Sequence, residues 1–212
     1  MTTINQRRRR GEFLRGDIDP ISFDSGVLLS GQNLSAGTVL GQITNATAAV
    51  VAGTNTGNGV MGTVTVGANA VPGVYTLRIT SAAANAGGFT VTDPMGDIVG
   101  TGNVAQAHNN GSLSFTLADG STDFAVGDSF TITVTGSGQW RQLNLAGTDG
   151  SQRAAAILYD NEDASAGART VTLVTRHQEL GLSDLIFPAG ITTPQMTTAL
   201  AQLAALQLIA RA

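Results

Sequence analysis

Two histidines, His108 and His177, are the first candidates for proton transfer or metal binding. His108 sits in Gln106-Ala107-His108-Asn109-Asn110 with no acid beside it. His177 follows an apolar run and has Glu179 nearby. One imidazole beside one carboxylate is more often structural than catalytic. Serines are plentiful, but no Gly-x-Ser-x-Gly elbow accompanies a plausible His partner. The Gly-rich run Asn55-Thr56-Gly57-Asn58-Gly59 lacks the Lys and Ser/Thr of a phosphate loop and reads as a turn or linker. Asp17-x-Asp19 and Asp160-x-Glu162-Asp163 offer oxygen to a hard cation, without the ligand count or the glycine of a calcium loop. There is no Cys, so disulfides and thiolate metal sites are excluded. The expectation is a chain with no catalytic group, no cofactor and no metal: not an enzyme.

The remaining chemical signal is charge. All 11 basic residues are Arg, and they face 15 acids, for a net charge of −4. The distribution is uneven. Residues 1–15 carry +4, with Arg7, Arg8, Arg9, Arg10 and Arg15 against Glu12, whereas residues 53–139 carry −4. A basic front on an acidic body suggests a segment that meets an acidic partner, or one that is simply disordered. Nucleic acid is the weaker reading, because no aromatic interleaves the arginines before Phe13 and the body is acidic. No apolar run reaches the ~18–20 residues that cross a bilayer, and the start lacks the apolar core of a secretory signal. The expected partners therefore include neither nucleic acid nor membrane.

Four blocks must position these residues. Residues 1–24 form an arm with no sustained periodicity, its apolar residues Phe13, Leu14, Ile18, Ile21 and Phe23 scattered between charges. A segment of this kind buries little on its own and is ordered by a partner. Residues 25–52 suggest short strands at Val27–Leu29 and Thr38–Thr44. Residues 53–139 alternate with a period of two: Tyr75, Leu77 and Ile79; Leu113, Phe115 and Leu117; Phe130, Ile132 and Val134. Turn signals separate them, as at Asp93-Pro94-Met95-Gly96 and Asn109-Asn110-Gly111, and predict a small two-sheet sandwich. Residues 140–212 contain strands at Ala154–Tyr159 and Val171–Thr175. They end in a helix capped by Thr193, with Pro194 in its first turn. Its predicted stripe is Met196, Ala199, Leu200, Leu203, Leu206 and Ile209, with Arg211 at the C-terminal end of the dipole. The second and fourth blocks are each short. Together they read as one domain, 25–52 plus 140–212, interrupted by an insertion at 53–139.

The ordered set of segments resembles the lambda-like bacteriophage head decoration proteins. It begins with Val27-Leu28-Leu29-Ser30-Gly31-Gln32-Asn33-Leu34-Ser35-Ala36-Gly37-Thr38-Val39-Leu40-Gly41. It continues with Asp149-Gly150-Ser151-Gln152, Ala154–Asp160, Arg176-His177-Gln178-Glu179-Leu180 and Leu185-Ile186-Phe187-Pro188-Ala189-Gly190-Ile191-Thr192. The resemblance covers about half the chain; the arm and the insertion are not matched.

That resemblance implies a small β-rich decoration domain; with the helix and the sandwich read from the residue pattern, the expected fold is mainly β with a C-terminal helix (α+β), the decoration domain interrupted by an immunoglobulin-like β-sandwich. It implies a homotrimer on the outer surface of the expanded head, bound to the major capsid protein and holding the shell against packaged DNA. The arm would become ordered on the coat, with Arg7, Arg8, Arg9, Arg10, Phe13, Ile18, Ile21 and Phe23 as its contacts. The resemblance supplies no role for the insertion; the two expectations for it are that it touches host surfaces or glycans, or that it widens contacts between neighbouring trimers. A competing expectation is a host-recognition adhesin built from β modules.

Overall fold

The computed structural model describes residues 8–16 and 20–212. Strands hold 43% of the chain and helices 9%, so the Thr- and Gly-rich composition does mark a strand-and-turn fold. The chain separates into two compact units. One runs to Ile43 and resumes as Gly138–Ala212; the other is Thr44–Ser137.

In chain order, β1 (Leu14–Arg15), β2 (Phe23–Leu28), β3 (Asn33–Leu34) and β4 (Val39–Gln42) open the first unit. The second unit contains β5 (Thr47–Ala52), β6 (Thr65–Val66), β7 (Gly73–Ala83), β8 (Ala86–Thr92), β9 (Ile98–Asn103), β10 (Ala107–Asn109), β11 (Leu113–Thr116) and β12 (Ser129–Thr135). The first unit resumes with β13 (Trp140–Gln142), β14 (Ala156–Leu158), β15 (Glu162–Asp163), β16 (Arg169–Val174) and β17 (Gln178–Gly181). It ends with α1 (Thr193–Ala205) and β18 (Leu208–Arg211).

The first unit is built on a closed barrel in the order β13-β2-β16-β14-β4. β14 lies between β16 and β4, antiparallel to both. Its Ala156 and Leu158 pack with Leu28, Leu40, Val171 and Leu173. Its Ile157 faces the other way and packs with Val39, Val174 and the helix residues Ala199 and Leu203. A strand buried on both faces needs successive apolar residues, which is why Ala154–Leu158 shows no alternation. At Gly41 in β4 the barrel leaves no room for a side chain. A Cβ there would lie 2.1 Å from the Ser151 carbonyl oxygen and 2.9 Å from that of Arg153.

Beside the barrel lies a three-stranded sheet, β1-β17-β18. Here the sequence reading of the C-terminus needs correction. The helix is capped at Thr192, not Thr193, and the Gln195 Oε1 accepts from both the Thr192 N–H and its hydroxyl. It stops at Ala205, whereas the predicted stripe continued to Ile209. Gln207 takes φ 60°, and β18 then runs parallel to β17. Leu206 and Ile209 are exposed, Leu208 is buried, and Arg211 bonds Glu179 at 2.7 Å instead of facing a helix end. The unpaired edge of β17 satisfies backbone groups that another turn of helix would have satisfied internally. The helix period continued through that strand by coincidence of spacing.

The second unit holds a five-stranded sheet, β5-β12-β7-β8-β9, and a three-stranded one, β10-β11-β6. One core joins them: Tyr75, Leu77, Ile79, Phe89, Val91, Phe130, Ile132 and Val134 meet Leu113, Phe115 and Leu117. The alternations therefore mark true inward faces. Two details differ from the sequence reading. β5, assigned there to the block ending at 52, pairs along its length with β12 and belongs to this unit. The strand order is also not that of an immunoglobulin constant domain, whose first, second, fourth and fifth strands share one sheet. Here β7, β8 and β9 form a continuous meander within the larger sheet.

Asp128 ties this sandwich together from within. Its carboxylate accepts the N–H groups of Thr56 and Gly57 at 2.9 Å each and of Ala125 at 3.0 Å. This explains the run Asn55–Gly59: it is a turn held on a buried carboxylate, not a phosphate loop.

Candidate functional site

Among the described residues, Arg8, Arg10 and Arg15 of the basic front contact acids within their own unit. Leu14 and Arg15 pair with Leu180 and Glu179 of β17. Gly181 donates its N–H to the Phe13 carbonyl at 2.8 Å, and Gln178 Nε2 donates to that of Arg15 at 2.8 Å. Between them, Phe13 is 1% exposed and packs among Leu180, Leu185, Leu203 and Leu208. The arginines follow the backbone. Arg10 Nε donates to Asp160 Oδ2 at 2.7 Å, with its guanidinium carbon 5.9 Å from the Tyr159 ring centre. Arg8 and Arg15 both bond Asp184, and Asn161 Nδ2 donates to the Arg8 carbonyl at 2.6 Å. The Arg10 hydrogen bond, together with its charge, holds the Asp160 carboxyl below its usual pKa.

The expected coat-contacting residues therefore divide into four groups. Arg7 and Ile18 lie outside the described residues, as do Asp17 and Asp19. Phe13 is sealed in the chain's own core, and Phe23 is half-buried with its ring edge-on to Tyr159, 5.0 Å between centroids. Phe13 cannot seat in a coat pocket without leaving the fold. Arg8 and Arg10 have partners on their own chain. Arg9 and Ile21 remain outward, Ile21 at 55% exposure. Asp184, Asn161 and Gln178 are contacts that the sequence pattern does not single out. The available signal is the surplus of acids outside residues 1–15 and 53–139, nine against five Arg.

The other candidates are occupied structurally. The acidic run is split: Asp160 holds Arg10, while Glu162 and Asp163 form β15 against β3. No group of three or more His, Cys, Asp or Glu among the described residues is placed to hold a metal. No helix among them is long and apolar enough to cross a membrane. His177 takes φ 49° where the chain enters β17. His108 is a core residue of the second unit, with ring centroids 5.5 Å from Phe89 and 4.9 Å from Phe115. Gly100 makes room for it: a Cβ there would lie 2.8 Å from the imidazole Cε1. Two shallow hollows flank Leu143–Leu145, of about 200 and 360 Å³, lined chiefly by Gln, Leu and Ala, with no paired nucleophile and base.

These environments set a pH dependence. Burial lowers the His108 pKa, partly opposed by a bond to the Thr101 backbone. Its neutral form therefore stabilises the fold fully above the unfolded value near ~6.5, and this contribution is lost as pH falls below it. Asp128 and Asp149 are pushed up by burial, but hydrogen bonds outweigh this and leave both below the usual carboxylate range. Their contribution, with that of Asp160, is present above ~4 and lost as pH falls further. The expected urea-unfolding profile declines in two acid steps. His108→Gln should remove the upper step and leave the lower one.

The family model described as Bacteriophage lambda head decoration protein D matches residues 3–208. No curated protein matches the chain. Among solved structures, two crystal forms of Xanthomonas campestris FlgL align, at 24% and 23% identity and TM-score 0.34 each. They cover 47% and 50% of this chain, and the alignment spans 33% of the FlgL chain in both. A likeness that loose carries no argument about either unit. The family match, over residues 3–208, takes in both units. The protein is thus a structural one of the phage particle. The chain belongs to the bacteriophage lambda head decoration protein D family, and its role is decoration of the phage capsid.

Proposed function

We propose that this chain binds the outer surface of the expanded head as a homotrimer and stabilises the shell against the pressure of packaged DNA. The observation that carries this reading is the family match over residues 3–208. It extends through the second unit, which favours the head over a tail adhesin.

The first unit supports a division of labour along the front of the chain. Phe13, Leu14 and Phe23 anchor the base of the arm to the body. The coat contact then falls to the residues before Arg8, including Arg7, and to Ile18 and the exposed Arg9 and Ile21. An extended segment adds to a sheet edge through backbone hydrogen bonds, with alternate side chains in pockets. Ordering it costs roughly 1–2 kcal/mol per residue, so one arm binds weakly. Three tethered arms raise avidity by ~10²–10⁴. A ligand that recognises only the expanded lattice stabilises that lattice by its differential affinity.

The test is a titration of the full chain, and of the chain lacking residues 1–7, onto expanded heads stripped of decoration. The full chain is expected to saturate the heads. The truncated chain is expected to keep its melting temperature and lose at least tenfold in affinity. Equal binding by the two would refute the arm's role.

A further inference from the structure

The five-stranded sheet has two edges, and they differ. At one edge β9 is irregular: its pairing with β8 slips between Val91 and Thr92, and it carries Gly100 and Gly102. The other edge, β5, is a regular strand of six residues, Thr47–Ala52, with sequence TAAVVA. Proteins guard open edges with Pro, Lys, bulges or very short strands, because an unguarded edge pairs with another chain. β5 has none of these guards; β6 packs near it, with no backbone hydrogen bond between the two among the described residues. Ala49 to Ala52 are all exposed, Val51 at 63%.

The register shows which groups are free. Gly53 donates its N–H to the Ser129 carbonyl at 2.8 Å, in a ladder that sets Val51 opposite Thr131 and Thr47 opposite Thr135. Hydrogen-bonded pairs alternate along an antiparallel ladder. Residues 47, 49 and 51 therefore bond β12, and Ala48, Val50 and Ala52 turn their N–H and C=O groups to the outer side. Among the described residues no backbone partner for these three lies on that side.

We infer that this edge pairs with the same edge of a second copy, antiparallel, about a two-fold axis at Val50. That register sets Val50 against Val50 and Ala48 against Ala52, so every outward group on both strands is satisfied. Charge selects the occupant. No charged residue occurs from Ile43 to Leu77 or in β12, although the second unit carries −4 overall. The edge is the place where two such acidic units approach without like charges meeting, and it offers an oppositely charged partner nothing to bind. Six-residue pairing buries far less than the ~1,200 Å² of a stable interface, so the contact is weak in dilute solution and strengthened wherever copies are held side by side. On a decorated shell it would join neighbouring copies; that consequence rests on the capsid reading, and the pairing itself does not.

The chain has no Cys, so a single thiol reports the contact cleanly. In the proposed register the two Val50 Cα atoms lie about 5.5 Å apart, within the span a disulfide bridges. The full chain carrying Val50→Cys, mildly oxidised in solution without heads, is expected to run mainly as a covalent dimer. Ile98→Cys, on the opposite edge, is expected to stay unlinked. Adding Ala49→Lys and Val51→Lys, both exposed sites, should cut the linkage at least tenfold at unchanged melting temperature. Linkage of Val50→Cys no greater than that of Ile98→Cys, or linkage indifferent to the lysines, would overturn the inference. Head binding by the same lysine variant is measured separately, so either reading can fail without the other.

Discussion

Phe13→Ala is expected to lower the unfolding free energy of the first unit by about 3–5 kcal/mol, the range for emptying a packed aromatic site. The side chain lies among Leu180, Leu185, Leu203 and Leu208, contributed by β17, the turn after it, the helix and β18. No single neighbour can close the space without shifting the others. Urea unfolding followed by Trp140 fluorescence reads this directly, since the only Trp sits in the barrel strand β13. Arg9→Ala, on an exposed residue of the same segment, should stay within about 0.5 kcal/mol. If Phe13→Ala were neutral, the whole front of the chain would be free to engage a partner, and the division between anchored base and binding tip would fail.

The second large effect is expected at Gly41. Gly41→Ala places its new methyl 2.1 Å from the Ser151 carbonyl oxygen and 2.9 Å from that of Arg153. Overpacking usually costs ~1–3 kcal/mol when side chains can yield. Here the obstacles are backbone, and Leu40 and Ala155 are tied by a hydrogen bond beside them at 2.9 Å. The cost should reach the upper end of that range or exceed it, with β4 separating from the Ser151–Arg153 turn. Gly167→Ala, where nothing lies within 4 Å, is the control and should unfold with the parent. This constraint belongs to the segment ending Gly37-Thr38-Val39-Leu40-Gly41, one of those that carried the resemblance to the decoration family.

Much of this was legible in the sequence wherever a strand has one wet face. Tyr75, Leu77 and Ile79 alternate with Thr76 and Arg78 because one side of β7 meets a core and the other meets water. The barrel strands were recognisable as strands but not as a barrel, since burial on both faces erases the period at Ala154–Leu158. The C-terminal turn was not legible. A stripe from Met196 to Ile209 satisfies helical spacing, and nothing local reveals that the edge of β17 will capture Leu208–Arg211. The docking of the arm's base was not legible for a related reason. Phe13 and Leu14 look isolated among charges, yet a two-residue strand and one buried ring suffice to dock them once Leu180 and Asp184 are in place. Composition could show that the front is basic and the body acidic; pairing within one chain is a property of the fold.

The most direct measurement is electron cryomicroscopy of expanded heads before and after addition of the purified chain. The account predicts added density on the outer face at the three-fold and quasi-three-fold positions, in groups of three, with each front segment continuous with coat density and the base at Phe13 still seated in its own body. Heads unchanged by saturating protein, or density confined to the tail tip, would contradict it.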